Sequence, residues 1–431
     1  MPASAAWLNL AMSAHIKLVA DVSAAQSTEY NKDMKKYLLL RVHALVVMVV
    51  VLALPVSGFA QRPPPPPKAM PTPAPPALSA NSYILVDFNS GFVLVENNAD
   101  MRVEPASITK LMTSYVVFNE LLQGDLSLDD SVNISEKAWR TIGSRMFIEP
   151  GMQVTIEQLL KGMVIQSGND ASVALAEHLA GTEEAFAGLM NHYAEQMGMT
   201  NTNFINSTGL PDEDHYSSAR DIAILSAALI RDFPDYYRWY AEKEYSFNNI
   251  RQHNRNNLLW RDPAVDGLKT GYTQAAGYCL AASAKRDGMR LISVVLGSGS
   301  ESSRVSESQS LLNYGFRFFE TVQLYKAGQE LAQGKVWKGE EEQVPLGIRD
   351  ELFVTIPRGR YDDLDAQVEM QPELVAPLLA GQQVGQISIR LDDEEIISRG
   401  LITLATVEEA GFFGRTWDGI SMWVGGLFGD D

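Results

Sequence analysis

The chain has a single cysteine, Cys279, so no internal disulfide can form, and its setting in the apolar stretch YCLAA reads as a small buried hydrophobe. The six histidines (15, 43, 178, 192, 215 and 253) show no HExxH or other ligand spacing, which argues against a resident metal. Basic side chains are scarce: 35 Lys and Arg stand against 53 Asp and Glu, a formal charge of −18. With no basic cluster to neutralise a phosphate backbone, nucleic acid is an improbable partner. No cofactor motif is evident either, since the Gly/Ser run GSGSESS before a helix lacks the rest of any nucleotide-binding pattern. The longest apolar run, Ala44 to Leu54, stops at Pro55, well short of the roughly twenty residues that span a bilayer.

What is there suffices for a large core, with 46% hydrophobic residues in 431, room for two or three domains. From Met34 the text MKKYLLLRVHALVVMVVVLALPVSGFAQ has a basic start, an apolar core and small residues before Gln61, the layout of a secretory signal cleaved after Ala60. Residues 1–33 carry no motif, and Met34 reads as the true start. Segment 1–60 is thus an extension plus signal peptide, and 61–80, opening RPPPPPKAMPTPAPP, a polyproline linker.

The turn Asn89-Ser90-Gly91 splits two apolar runs into a hairpin, a long helical region follows from Ala106, and the strand candidates GLKTGYT, GYCLAASAK and MRLISVVLG come late, before the helix SQSLLNYGFRFFETV. Strands at both sequence ends with helices between predict an α+β domain over 81–325, one antiparallel sheet with a helical cluster against it. The alternating QISIRLDDEEIISRGLITLA, with Ile387, Ile389 and Leu391 on one face and a turn at Asp392-Asp393, predicts a small all-β domain over 326–405. In 406–431 an aromatic stripe of Phe413, Trp417, Ile420, Val424 and Leu427 predicts an amphipathic helix lying in a membrane interface, although its polar face offers only Arg415 as a cation; a helix packed on its own protein is the other reading.

In EPASITKLMTSY, Ser107 and Lys110 share a helix face at i and i+3. Serine needs a base to become a nucleophile, and a lysine at the positive end of a helix beside Ile108, Leu111 and Met112 is pushed toward its neutral form. Ser-x-x-Lys should occur about once by composition in a chain this long, so alone it reads more often as a helix cap and a surface amine. Two companions change this: Ser167-Gly168-Asn169 between two helices, and the single Lys269-Thr270-Gly271 at the start of a strand. This order and these settings match the active-site set of penicillin-recognising serine enzymes.

PASITKLMT, IQSGNDASVALAEHLAG, YSSARDIA, FNNIRQHNRN, VDGLKTGYT, RLISVVLGS and TIPRGR extend the likeness over residues 81–431. The chain resembles the low-molecular-mass penicillin-binding proteins of the D-alanyl-D-alanine carboxypeptidase type. That resemblance implies a serine β-lactamase/penicillin-binding-protein-like catalytic domain acting on peptidoglycan pentapeptide stems, covalent inhibition by β-lactam antibiotics, and no cofactor. It implies that Ser107 is the nucleophile, Lys110 its base and Ser167 a proton relay. Asn169 would hold the peptide, and Lys269 would draw in the substrate and help keep Lys110 neutral. Thr270 and Arg304 would bind the terminal carboxylate, Gly271 would let the strand approach, and the backbone N–H groups of Ser107 and Tyr272 would form an oxyanion hole. It also implies an exported protein held on the outer face of the cytoplasmic membrane. Where relatives carry His, this chain has Tyr272 after Lys-Thr-Gly and Thr208 before Gly209-Leu210. Two alternatives stand beside this reading: a β-lactamase, which lacks support because no Glu-x-x-Leu-Asn segment follows the second motif, and a non-catalytic wall-binding scaffold, which predicts a broken catalytic set.

Overall fold

The computed structural model describes residues 72–411. The expected export signal, the start at Met34 and most of the polyproline segment lie outside the described residues, as do 412–431 of the expected C-terminal helix.

The catalytic domain is built on five antiparallel strands: β1 (Ser82–Asp87), β2 (Val93–Asn97), β3 (Val265–Thr273), β4 (Gly277–Arg286) and β5 (Met289–Ser298). Their order across the sheet is β2-β1-β5-β4-β3, so the first and last segments of the domain pair directly through β1 and β5. The inner strands β4 and β5 carry apolar residues at consecutive positions because both faces of the sheet are covered. Cys279, Ala281, Ile292 and Val294 face the helical cluster, whereas Leu280, Ala282, Leu291 and Val295 face the opposite way. The cluster comprises α1 (Lys110–Gln123), α2 (Ile156–Gln166), α3 (Asn169–Ala180), α4 (Glu183–Gln196) and α5 (Ala219–Asp232). A sixth helix, α6 (Glu301–Phe318), covers the far face with Leu311, Leu312 and Phe316. The sheet is therefore the middle of three layers, with strand β3 at its edge.

The tail of the Pro-rich segment is not a free spacer: Ser79 donates from both N and Oγ to Glu307 of α6 (3.0 and 2.5 Å), and the Tyr314 hydroxyl donates to the Pro73 carbonyl.

The helix expected to run through FETV ends at Phe318. Phe319–Tyr325 is instead strand β6, paired antiparallel with β9 (Leu352–Pro357). The β-branched residues of ETV fit a sheet, and β9 offers them a ladder. The rest of the second domain is a sheet of β7 (Glu330–Trp337), β8 (Gln343–Gly347), β10 (Leu364–Met370), β11 (Leu374–Val375), β12 (Gln383–Leu391) and β13 (Glu394–Thr403), in the order β10-β12-β13-β8-β7-β11. Ile387 and Ile389 are buried and Leu391 is half-buried; Asp392 and Asp393 make the β12–β13 turn with φ of 52° and 65°, as a two-residue hairpin with strand-matched twist requires. Residues 406–411 do not begin a helix: Val407 is buried in the domain core and exchanges backbone hydrogen bonds with Leu378, holding the segment extended. Among the described residues, no helix is long and apolar enough to cross a membrane.

The two domains are joined by a buried carboxylate. Asp87, fully buried at the end of β1, accepts from the backbone N–H groups of Asn89 and Ser90 and from the Ser90 hydroxyl on one oxygen, and from Thr321 of β6 on the other (2.6 Å). Ser90 and Thr321 both also bond Thr355 of β9. Removing the acceptor would strand several donors at once. Asp87→Ala is expected to cost about 2–3 kcal/mol of stability, read as a lower urea midpoint; an unchanged midpoint would show that the junction contributes nothing.

Candidate active site

Ser107 lies in a 3-10 turn, Ala106–Thr109, and Lys110 is the first residue of α1. The turn is sharp because Ala106 adopts φ 48°, a left-handed conformation costly for a residue with a Cβ. Two glycines permit this. A Cβ on Gly209 would lie 1.8 Å from the Ala106 carbonyl oxygen, and one on Gly271 would lie 2.9 Å from the Pro105 oxygen and 3.2 Å from the Ser107 nitrogen. Strand β3 therefore runs hard against the Ser107 turn, and the Ser107 N–H sits beside the backbone that leads into Tyr272.

Lys110 is almost wholly buried, and its Nζ lies 3.2 Å from Ser107 Oγ, 2.7 Å from Asn169 Oδ1 and 2.6 Å from the Thr208 carbonyl oxygen. A neutral amine has two N–H groups and one lone pair. The two carbonyl acceptors take the N–H groups, which leaves the lone pair for the Ser107 hydroxyl proton. Burial lowers the Lys110 pKa to about 7, against the carboxylates of Asp170 and Glu183, which pull it up. The apolar wall foreseen from Ile108, Leu111 and Met112 is real, as all three are buried.

Ser167 caps the C-terminus of α2 with φ 71°, and its Oγ accepts a hydrogen bond from Lys269 Nζ at 2.9 Å. Lys269 is buried on β3; desolvation first, then the charges of Lys110, Arg255 and Arg304, hold its pKa well below the ordinary lysine range. Two buried amines in one place each disfavour a proton on the other. Asn169 opens α3 with its side chain spent on Lys110 and on the Ile142 carbonyl, to which its Nδ2 donates at 2.7 Å. In this structure its visible work is to hold Lys110.

Ser107, Ser167, Thr270, Gly271, Tyr272 and Arg304 face one cleft of about 210 Å³, with Lys110, Asn169 and Lys269 buried behind it. Arg304 projects from the first turn of α6 and donates to the Gly271 carbonyl at 3.2 Å. Tyr272 is 55% exposed, its ring 4.4 Å from that of Tyr278. All nine residues singled out by sequence thus meet around one cleft.

Several residues that shape the cleft escape sequence reasoning. Asp170, fully buried, accepts from the backbone N–H groups of Met146, Ala171 and Phe147 at 2.9 Å and fixes the loop that carries Ile142 and Ser144. Gly143, at φ 94°, leaves room for the Asn169 amide, which would lie 2.6 Å from a Cβ there. Asn206 Oδ1 accepts from the backbone N–H groups of Thr208, Gly209 and Leu210, which clamps the loop whose carbonyl holds Lys110. The only advance signal for Asn206 is an Asn three residues before a Gly, a common turn pattern. Thr208, the departure from the usual His, holds Lys110 through its backbone oxygen, and its hydroxyl joins the clamp by donating to Asn206 Oδ1 at 2.9 Å and accepting from the Leu210 N–H. His215 accepts from the Ile205 N–H at Nδ1, so Nε2 bears the proton donated to Thr109 Oγ1 at 2.8 Å. Burial pushes its pKa down to about 4, which makes it a neutral prop beneath the Ser107 turn.

A three-layer fold with a helix-start Ser-x-x-Lys, an interhelical Ser-x-Asn and an edge-strand Lys-Thr-Gly defines the penicillin-recognising active-site serine enzymes. Residues 69–300 match the family described as D-alanyl-D-alanine carboxypeptidase, and 319–409 match the C-terminal domain of penicillin-binding protein 5. The chain is 48% identical over 365 residues to the D-alanyl-D-alanine carboxypeptidase DacA of Escherichia coli, which covers 83% of this chain and 91% of that protein. Penicillin-binding protein 5 of Haemophilus influenzae superposes with a TM-score of 0.76 at 45% identity, over 78% of this chain and all of that one. Penicillin-binding protein D2 of Listeria monocytogenes, solved in an ampicillin-bound form, matches with a TM-score of 0.52 at 31% identity, over 56% of this chain and 98% of that one. The chain belongs to the D-alanyl-D-alanine carboxypeptidase family of penicillin-binding proteins, a serine-type peptidase, and the β-lactamase and scaffold readings give way to it.

Two predictions follow from this geometry. If Lys110 is the base it can act only when neutral, so acylation should rise as pH climbs through about 7 and level off above it; a rise continuing to pH 10 would mark an unperturbed lysine. Gly271→Ala should fold yet acylate at least about tenfold more slowly, since the added methyl displaces the nucleophile's turn; stopped-flow reaction with a chromogenic β-lactam checks both.

Proposed function

We propose that Ser107 Oγ attacks the carbonyl carbon of the penultimate D-alanine in a peptidoglycan pentapeptide stem as its proton passes to Lys110 Nζ. The oxyanion draws on the N–H groups of Ser107 and Tyr272. As the C–N bond breaks, the proton travels from Lys110 through the Ser167 hydroxyl to the leaving amine, and the terminal D-alanine departs. The acyl-enzyme on Ser107 is then hydrolysed by water, which returns the proton to Ser107 and leaves a stem ending in the former penultimate D-alanine. The substrate's terminal carboxylate binds at Arg304 and Thr270, where it also offers Lys269 a counter-charge. Asn169 holds Lys110 and borders the bound peptide. A β-lactam enters the same chemistry as a mimic of the D-alanyl-D-alanine end, but its acyl-enzyme persists.

The observation that carries this reading is the Lys110 amine, buried, committed to two carbonyl oxygens and left with its remaining valence facing Ser107. We further infer that the protein is exported through the 34–60 signal, works in the periplasm on wall maturation and cell shape, and rests on the outer face of the cytoplasmic membrane through 412–431. The apolar and aromatic stripe of that segment supports the attachment, and its acidic neighbours require binding to be mainly hydrophobic.

Protein lacking residues 1–60 should label covalently with a fluorescent penicillin and release D-alanine from a pentapeptide. Ser107→Ala should lose both activities while unfolding at the same temperature. Labelling that survives in Ser107→Ala would move the nucleophile elsewhere.

A further inference from the structure

Arg304 is poorly satisfied for a buried guanidinium. It has five N–H donors, yet its protein partners are the Gly271 carbonyl at 3.2 Å and one Glu301 oxygen at 3.5 Å, and its Nε is buried with no acceptor. Its one anionic neighbour is thus at the long limit of a hydrogen bond. That distance is set from the other side, because Asn257 Nδ2 donates to the same Glu301 oxygen at 2.8 Å. The Glu301 side chain is about half exposed and forms part of the cleft wall alongside Arg255, Tyr278 and Arg304. Among the residues lining the described cleft, Glu301 is the one acid.

A carboxylate entering to reach Arg304 therefore meets a fixed negative charge that already shares the guanidinium. Like charges at this separation repel, and Glu301 must yield its long contact for a new, bidentate one to form. We propose that Glu301 is a specificity-determining residue that competes with the terminal carboxylate of the substrate for Arg304, weakening capture of a carboxylate by itself so that a ligand must also engage strand β3 and the serine. The proposal rests on the carboxypeptidase reading and names what sets its carboxylate affinity. A purely structural alternative exists, in which Glu301 only complements the N-terminal dipole of α6.

Glu301→Gln separates the two. It keeps the Asn257 hydrogen bond through the amide oxygen, removes the charge and preserves shape. Acylation by benzylpenicillin is expected to quicken by about two- to fivefold, the scale of a half-exposed ion pair, while acylation by its methyl ester, which lacks the carboxylate, keeps the wild-type rate. With a pentapeptide the gain should fall in KM and leave kcat unchanged. An unchanged rate with the acid, or the same gain with acid and ester, overturns the proposal and leaves Glu301 as a dipole partner. A wild type that neither acylates nor releases D-alanine overturns the carboxypeptidase reading itself, and with it the substrate for which Glu301 would compete.

Discussion

The structure turns on keeping one amine out of water. Lys110 gains nothing for stability from its burial, since an ammonium in that position loses hydration that two carbonyl oxygens only partly replace. The surrounding elements hold it there nevertheless. Helix α3 delivers the Asn169 carbonyl, the Asn206-clamped loop delivers the Thr208 carbonyl, and the apolar cluster behind α1 excludes water. In the proposed mechanism these contacts let Lys110 serve as a base, and the chemistry assigned to the cleft depends on that.

The same constraint explains why small residues collect at the site. A methyl group on Gly209 or Gly271 would strike the turn that carries Ser107, and one on Gly143 would strike the Asn169 amide that holds Lys110. The left-handed backbone of Ala106 and Ser167 is local strain, and the close packing of β3, the 206–210 loop and α2 retains it. Asp170 and Asp87 act farther out, as buried carboxylates fully supplied with donors, one fixing the loop beside Asn169 and the other joining the catalytic domain to its β-rich neighbour. Each replaces water around its charge with N–H and O–H groups, which rigidifies the segments that supply them.

Much of this was legible in the sequence. Ser107, Lys110, Ser167, Asn169 and Lys269 are spread along the chain but belong to motifs whose settings reflect their chemistry, Arg304 was reached only through the family resemblance, and hydrophobic periodicity located the sheet and the β-rich domain. The misses have physical causes. A strand following directly on a helix, as at Phe319, keeps the apolar pattern running across the boundary, so FETV looked helical until β9 supplied its partner. Residues 406–411 carry an acidic, small-residue text without strand character, and only the burial of Val407 holds them extended. Asp170, Asn206 and Gly143 act on backbone groups brought in from distant loops, and no spacing in the chain announces such contacts. That Lys269 is buried as deeply as Lys110 was likewise not announced by its residue type.

The measurement that bears most directly on the central claim is a titration of the Lys110 ammonium itself. Selective isotope labelling of lysine side chains, with Lys110→Arg used to assign the resonance, would follow its protonation by NMR across pH 5 to 11. The account predicts a midpoint near pH 7 in the unliganded enzyme. A midpoint near the ordinary lysine value of about 10.4 would contradict it, because Lys110 would then be a cation at neutral pH and Ser107 would need a different base.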